Sequence, residues 1–277
     1  MALRFTKMHG AGNDFVVLDR RDGSPTPPAD TLIRMADRHT GIGCDQVMVL
    51  EPSGRAGMLA SYRIVNSDGT DARQCGNGVR CLAAWLHRDG ALARDGVLDS
   101  PSGPVSVHVF DDGSIEAALQ APAFAGNAIP MCGVKASDAG DYHLCIDGVD
   151  IRFGALSMGN PHVVVEVDDV RDAPVNLANA LQSHTAFPDG CNVGFAQVMA
   201  RDRIRLRVIE RGVGETLACG SGACAAHAWL RRSGRVDADT RIELPGGTLG
   251  LTWSGGADEP VRMRGPTAFV FEGTWTP

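Results

Sequence analysis

Two stretches of this chain repeat one another, and the register between them limits how it can fold. The run Asp71-Ala-Arg-Gln-Cys75-Gly-Asn-Gly-Val-Arg-Cys-Leu-Ala-Ala-Trp-Leu86 returns, altered, as Glu215-Thr-Leu-Ala-Cys219-Gly-Ser-Gly-Ala-Cys-Ala-Ala-His-Ala-Trp-Leu230, an offset of 144 residues. Glu210 stands where Asn66 stood, at the same offset of 144. Upstream, Gly159-Asn160-Pro-His162-Val-Val-Val165 resembles Gly12-Asn13-Asp-Phe15-Val-Val-Leu18, and Gly190-Cys-Asn192 echoes Gly43-Cys-Asp45, both at an offset of 147. So steady a register indicates duplication. It predicts an α+β fold of two structurally similar halves, each a curled, mostly antiparallel β-sheet or barrel around a central buried helix. The halves are expected to form a pseudo-twofold pair with matching elements facing one another. The first half is expected over 1–119, completed by a C-terminal strand within 265–277, and the second over 120–264.

The local pattern agrees with that division. Leu3–Met8 and Phe15–Leu18 read as strands around the Gly-rich turn His9-Gly-Ala-Gly-Asn-Asp14. A short helix near Asp30–Arg38 follows the loop Ser24-Pro-Thr-Pro-Pro28, and strands are expected at Val47–Leu50, Tyr62–Val65, Val105–Phe110 and Ile115–Leu119. In the second half Ile204-Arg-Leu-Arg-Val208 alternates with period two, as a half-buried strand does. Arg241–Leu244, Gly250–Trp253 and Val261–Trp275 complete the set of expected strands.

Composition narrows the function classes. A formal net charge of −7, with no Lys/Arg cluster beyond pairs such as Arg231-Arg232, speaks against nucleic-acid or anionic-membrane partners. No apolar run reaches the length of a membrane span, and the first residues lack a signal-peptide core. Eight cysteines without an export signal suggest reduced thiols and a cytoplasmic location. The spacings Cys75–Cys81 and Cys219–Cys224 are not Cys-x-x-Cys and no His-x-x-x-His pair accompanies them, so no metal site is expected. Lysine occurs only at Lys7 and Lys135, neither in a Gly/Ser-rich phosphate-binding context, which disfavours pyridoxal phosphate. No cofactor is expected.

Free cysteine is often a small buried hydrophobe, and Cys44, Cys81, Cys132, Cys145, Cys191 and Cys224 are assigned that role. Cys75 and Cys219 differ. Each precedes Gly-X-Gly and a nearly charge-free run, the pattern of a buried helix with an open N-terminus. Such an end offers unpaired N–H groups and a partial positive charge, which bind a carboxylate and lower a nearby thiol pKa. Two such ends converging on one pocket would hold a substrate carboxylate with a sulfur on each side of the adjacent carbon. A thiolate could then take the α-proton from one face while a thiol delivers a proton to the other.

At these residues the chain resembles the diaminopimelate epimerases. Asn66-Ser-Asp-Gly-Thr70 followed by Cys75-Gly-Asn-Gly-Val-Arg80 is similar to the family's first motif, with Thr70 in place of serine. Glu210-Arg211-Gly-Val-Gly-Glu-Thr-Leu-Ala-Cys219-Gly-Ser-Gly222 is similar to the second, and Gly10–Phe15, Gly41–Gln46, Gly159–His162 and Asn192 fall in family order. The resemblance covers essentially the whole chain. It implies conversion of LL-2,6-diaminopimelate to the meso form without pyridoxal phosphate, in bacterial lysine and cell-wall precursor synthesis. It implies Cys75 and Cys219 as the acid/base pair, and the backbone of Gly76, Asn77, Gly220 and Ser221 as the carboxylate cradle. Asn13, Gln46, Asn66, Asn160, Asn192, Glu210 and Arg211 would contact substrate, while His162 and Glu210 would bias the thiol pKa values. A homodimer is implied by the resemblance alone. Arg211 suits a distant second carboxylate through a bidentate pair.

Two other functions fit the paired cysteines. One is a cofactor-independent racemase of proline or hydroxyproline. The other is a thiol redox sensor in which Cys75 and Cys219 pair on oxidation. Proton abstraction from so weak a carbon acid also calls for exclusion of water, and two halves joined near residue 120 could close as a hinge.

Overall fold

The computed structural model describes residues 2–137 and 140–276. The chain divides into two compact units, Met1–Leu119 with Arg264–Pro277, and Gln120–Met263.

The first unit runs β1 (Leu3–Gly10), β2 (Asn13–Asp19), α1 (Ala29–Ala36), β3 (Gln46–Glu51), β4 (Ser61–Asn66), β5 (Asp71–Ala72), α2 (Gly76–Arg88), β6 (Asp95–Ser100), β7 (Gly103–Val109) and β8 (Ile115–Ala118). Strands β1 and β2 pair antiparallel, β2 and β3 parallel, and β3 and β4 antiparallel. Strand β4 then takes β5 antiparallel and touches β6 in parallel, and β6, β7 and β8 follow as antiparallel neighbours. The terminal strand Ala268–Trp275 lies antiparallel on the other edge of β1, from Leu3 against Trp275 to His9 against Ala268.

The second unit runs β9 (Tyr142–Ile146), β10 (Val149–Ser157), β11 (Pro161–Glu166), α3 (Val175–Ser183), β12 (Asn192–Ala200), β13 (Arg203–Glu210), β14 (Gly214–Thr216), α4 (Gly220–Arg232), β15 (Asp239–Leu244) and β16 (Gly247–Thr252), and the short β17 (Arg262–Gly265) spans the division after Met263. Its pairings repeat those of the first unit in the same order. Antiparallel β10–β11, parallel β11–β12, antiparallel β12–β13 and β13–β14, parallel β13–β15 and antiparallel β15–β16 follow one another. The expected duplication is thus a duplication of topology. The strands are sheet rather than closed barrel.

The continuous apolar run Phe15-Val-Val-Leu18 is buried at all four positions, as a strand covered on both faces must be. On one face Val16, Leu18, Val47 and Val49 pack with Leu32 and Met35 of α1. On the other lies α2. A Cβ added at Gly78 would stand 2.8 Å from Met48 Cε and 3.4 Å from Phe15 Cε1, so glycine there lets the helix backbone close on the strands. In the second unit Val163, Val193 and Phe195 cluster with Ala178 and Leu181 of α3. Helix α4 covers the opposite side, where the Trp229 ring occupies the space a side chain at Gly154 would need. From Gly222 to Leu230 every α4 residue is buried, the all-round burial of a central helix.

Candidate active site

Each central helix begins directly after a motif cysteine. Cys75 is the extended residue capping α2, and Cys219 the extended residue capping α4. The first intrahelical bonds run from Val79 N–H to Cys75 O at 3.0 Å and from Ala223 N–H to Cys219 O at 2.9 Å. The amides of Gly76, Asn77, Gly220 and Ser221 therefore belong to the first turns, where helix N–H groups point beyond the helix end.

Around Cys75, side chains from α2, the start of β2 and the α1–β3 loop form one polar chain. Arg80, fully buried in α2, donates from Nη2 to Asn77 Oδ1 at 2.9 Å and from Nη1 to Gly76 O at 3.3 Å. Asn77 Nδ2 donates to Asn13 Oδ1 at 3.2 Å, and Asn13 Nδ2 to Asp45 Oδ2 at 2.7 Å. A guanidinium can only donate and a carboxylate can only accept. Together they fix which way both carboxamides face, so Asn13 presents oxygen, 3.6 Å from Cys75 Sγ. The sulfur also accepts from Gly78 N–H at 3.4 Å. A thiol at Cys75 can donate to Asn13 and a thiolate can accept from Gly78, so a sulfur that alternates between the two forms has a partner in each.

An ionic cluster anchors this arrangement. Asp14 takes two bonds from Arg38, at 2.7 and 3.0 Å, and one from Lys7 at 2.5 Å, while Lys7 also donates to Gly43 O. Burial pushes the Asp14 carboxyl up, but the bonds and charges of Arg38 and Lys7 outweigh this and hold it at about 2. Arg38 reaches Asp45 at 2.7 Å as well. Gln46 and Asn66 face each other across β3 and β4, with Gln46 Nε2 donating to Asn66 Oδ1 at 2.8 Å and Asn66 Nδ2 to Thr70 Oγ1 at 3.0 Å. Gln46 Oε1 is buried and has no partner among the described residues, an acceptor that solvent does not reach.

The second unit answers with different chemistry. Cys219 is buried, with Ser221 Oγ 3.6 Å from its sulfur. Burial, and then the Glu210 carboxylate beside it, push its thiol well above the usual range, against the opposing bonds of Ser221 and the Gly222 N–H. Glu210 ends β13 and accepts a 2.6 Å bond from Thr216 Oγ1 across the β13–β14 hairpin. His162 is buried on β11 opposite Asn192 of β12, its Nε2 3.0 Å from Asn160 Oδ1. The carboxamide oxygen makes Nε2 the protonated nitrogen. Burial, aided by the Arg211 charge, holds His162 at about 3, so it is a neutral imidazole near pH 7. Its effect on a neighbouring thiol then acts through dipole and hydrogen bonding rather than as a cation. Asn192 accepts from Arg211 N–H at 3.0 Å and donates to Pro161 O at 3.4 Å. The exposed Arg211 side chain donates from Nη1 to Asp189 O.

The sequence-derived residues thus fall into two constellations. Cys75, Gly76, Asn77, Asn13, Gln46 and Asn66 gather in the first unit, and Cys219, Gly220, Ser221, Asn160, His162, Asn192, Glu210 and Arg211 in the second. Arg80, Asp45 and Thr216 join them without having been singled out. Arg80 lies within the motif quoted above, and a charged residue inside an otherwise apolar helix was the available signal. Among the described residues no cluster of three or more His, Cys, Asp or Glu side chains could hold a metal ion, and no helix is long and apolar enough to cross a membrane.

The profile of the family described as Diaminopimelate epimerase matches residues 5–123 and 154–270. A diaminopimelate epimerase of Xanthomonas axonopodis pv. citri (strain 306) is 54% identical over 275 residues, spanning 99% of this chain and 96% of its own length. That of Xylella fastidiosa (strain M12) is 53% identical over 277 residues with the same two coverages, 99% and 96%. Among solved structures, a hydroxyproline epimerase from Agrobacterium vitis with bound trans-4-hydroxy-L-proline aligns with a TM-score of 0.72 at 16% identity, over 99% of this chain and 92% of that one. A PhzF-family phenazine biosynthesis protein from Bacillus anthracis aligns with a TM-score of 0.69 at 15% identity over 100% of both chains. At such identities these two likenesses are likenesses of fold. With a profile that spans both units and relatives more than half identical along their whole length, the chain belongs to the diaminopimelate epimerase family.

Proposed function

We propose that this protein interconverts LL- and meso-2,6-diaminopimelate by passing protons through Cys75 and Cys219. The observation that carries the reading is that the same position of a duplicated topology, the residue capping the central helix, is cysteine in both copies. One sulfur as thiolate removes the α-proton; the other, as thiol, delivers a proton to the opposite face. The first sulfur ends protonated and the second deprotonated, so the reverse reaction starts from the reversed pair, which titrates as a unit. The N–H groups of Gly76, Asn77, Gly220 and Ser221 would receive the α-carboxylate and the charge that develops on it. Asn13, Gln46, Asn66, Asn160, Asn192, Glu210 and Arg211 would hold the rest of the substrate, with Arg211 at the distal carboxylate. His162 and Glu210 would tune the thiols. The reading places the reaction in bacterial lysine and peptidoglycan precursor synthesis, in a reducing cytoplasm, by a homodimer, with all acid–base work done by protein groups.

Incubation with LL-diaminopimelate in D₂O tests this. Deuterium should enter the α-position as the meso form appears, and Cys75→Ser and Cys219→Ser should each reduce turnover by at least about 100-fold. Exchange with proline or hydroxyproline in place of diaminopimelate, or turnover surviving in either variant, would reject the proposal.

A further inference from the structure

The carboxylate that raises the Cys219 thiol is not held by chain geometry alone. Glu210 sits at the last position of β13, directly before the turn Arg211-Gly-Val-Gly214, and pairs with Gly214 across the hairpin. A side chain at a strand end beside a glycine turn has few neighbours to fix its rotamer. Thr216, two residues along β14, lies opposite Val208 and turns its hydroxyl to Glu210 Oε1 at 2.6 Å. That is a short, charge-assisted bond. It pins one carboxylate oxygen, which leaves the other for the remaining neighbours. The adjacent residue, Glu215, does not compete for this place, since it is engaged by Arg207 Nε and Nη2 at 2.7 and 2.8 Å.

We infer that Thr216 is a positioning residue which, through its 2.6 Å hydroxyl bond across the β13–β14 hairpin, holds the Glu210 side chain in place beside Cys219. This rests on the assignment of Cys219 as an acid/base group. The groups that bear on the sulfur are Glu210 from β13, and the Ser221 hydroxyl and Gly222 N–H from α4. The last two favour thiolate and Glu210 opposes them, so release of Glu210 lets the thiolate form at lower pH. A threonine here supplies only a methyl and a hydroxyl. Valine reproduces the shape and deletes the bond, whereas serine keeps the bond and deletes the methyl.

Peptide-resolved iodoacetamide labelling of the full chain across pH reads the Cys219 thiol directly, without substrate and apart from the exposed Cys132 and Cys145. Thr216→Val should lower the Cys219 midpoint by about one pH unit, a roughly tenfold gain in labelling rate below the midpoint. Thr216→Ser should stay near the parent, and Glu210→Gln should match Thr216→Val. In turnover, Thr216→Val should lose about tenfold in kcat with KM within about twofold, and Thr216→Ser should recover it. A Thr216→Val midpoint equal to or above the parent's would overturn the inference whatever the substrate proves to be. Absence of diaminopimelate turnover in the unaltered protein would instead reject the proposed function and leave the labelling result to stand.

Discussion

Asn77 and Asn13 are joined carboxamide to carboxamide, Asn77 Nδ2 donating to Asn13 Oδ1 at 3.2 Å. The bond ties the first turn of α2 to the end of the β1–β2 hairpin, and its direction is set by Arg80 on one side and Asp45 on the other. Arg80→Met removes the donors to Asn77 Oδ1 and Gly76 O inside the core. The expected cost is about 1–3 kcal/mol of stability, read as a lower urea midpoint, with Cys75 labelling altered and Cys219 labelling unchanged. A variant as stable as the parent would show that Arg80 does not hold this turn.

Gly154 is the point where β10 meets α4. Any Cβ there would enter the Trp229 ring, and a tightly packed indole cannot withdraw as the end of a flexible chain can. Gly154→Ala should therefore destabilise by about 1–3 kcal/mol, although alanine suits a strand better than glycine. Thermal unfolding would show a lower midpoint; an unchanged one would mean that α4 can shift away from the sheet.

Acid should weaken the second unit through two histidines. Burial, with the Arg211 charge added at His162, holds His162 at about 3, and burial also holds His227 at about 4, both below the ordinary histidine value of 6.5. The unfolded chain then binds protons that the folded chain refuses. Stability is complete above about pH 6.5 and falls as pH drops toward the folded values, by about 1.4 kcal/mol per pH unit for each histidine. His227→Phe should flatten the slope of unfolding free energy between pH 6 and about 4. An identical slope in the variant would mean that His227 titrates normally.

Asp14 acts in the same sense at lower pH. Its carboxyl is held at about 2 against the ordinary aspartate value of 3.8, so its contribution is present above about 3.8 and fades as pH falls through 2. Asp14→Asn should cost about 2 kcal/mol at pH 7, because Lys7 and Arg38 lose their shared partner. The cost should shrink when both proteins are compared near pH 2.

Much of this architecture was legible from pattern. The 144 and 147 offsets located the two cysteine helices and the strands leading into them, because a strand covered on both faces and an apolar central helix each write themselves as unbroken apolar runs. Strand β6 escaped, since Asp95-Gly-Val-Leu-Asp-Ser100 carries only two apolar residues, and so did α3, whose Val-Asn-Leu-Ala-Asn-Ala-Leu-Gln-Ser mixes helix formers with turn residues. The segment Val261–Trp275, read as one strand, is two, Arg262–Gly265 and Ala268–Trp275, with Pro266 at the break where a ladder N–H would be needed. Site partners were harder. Lys7, Asp14, Arg38 and Asp45 lie far apart in sequence and meet only once the fold brings β1, β2 and the α1–β3 loop together. Periodicity carries no trace of such a meeting, and Arg80 was hidden because a buried guanidinium contradicts the apolar character by which its helix was identified.

A twofold assembly of identical short chains would have to offer the same surroundings to each sulfur. Fusion into one polypeptide lifted that obligation. Where the first copy has Asn13, Asn66 and Asn77, the second has Asn160, Glu210 and Ser221, so one thiol answers to a string of amides and the other to a carboxylate. Each can drift toward a proton affinity of its own, at no cost to its counterpart.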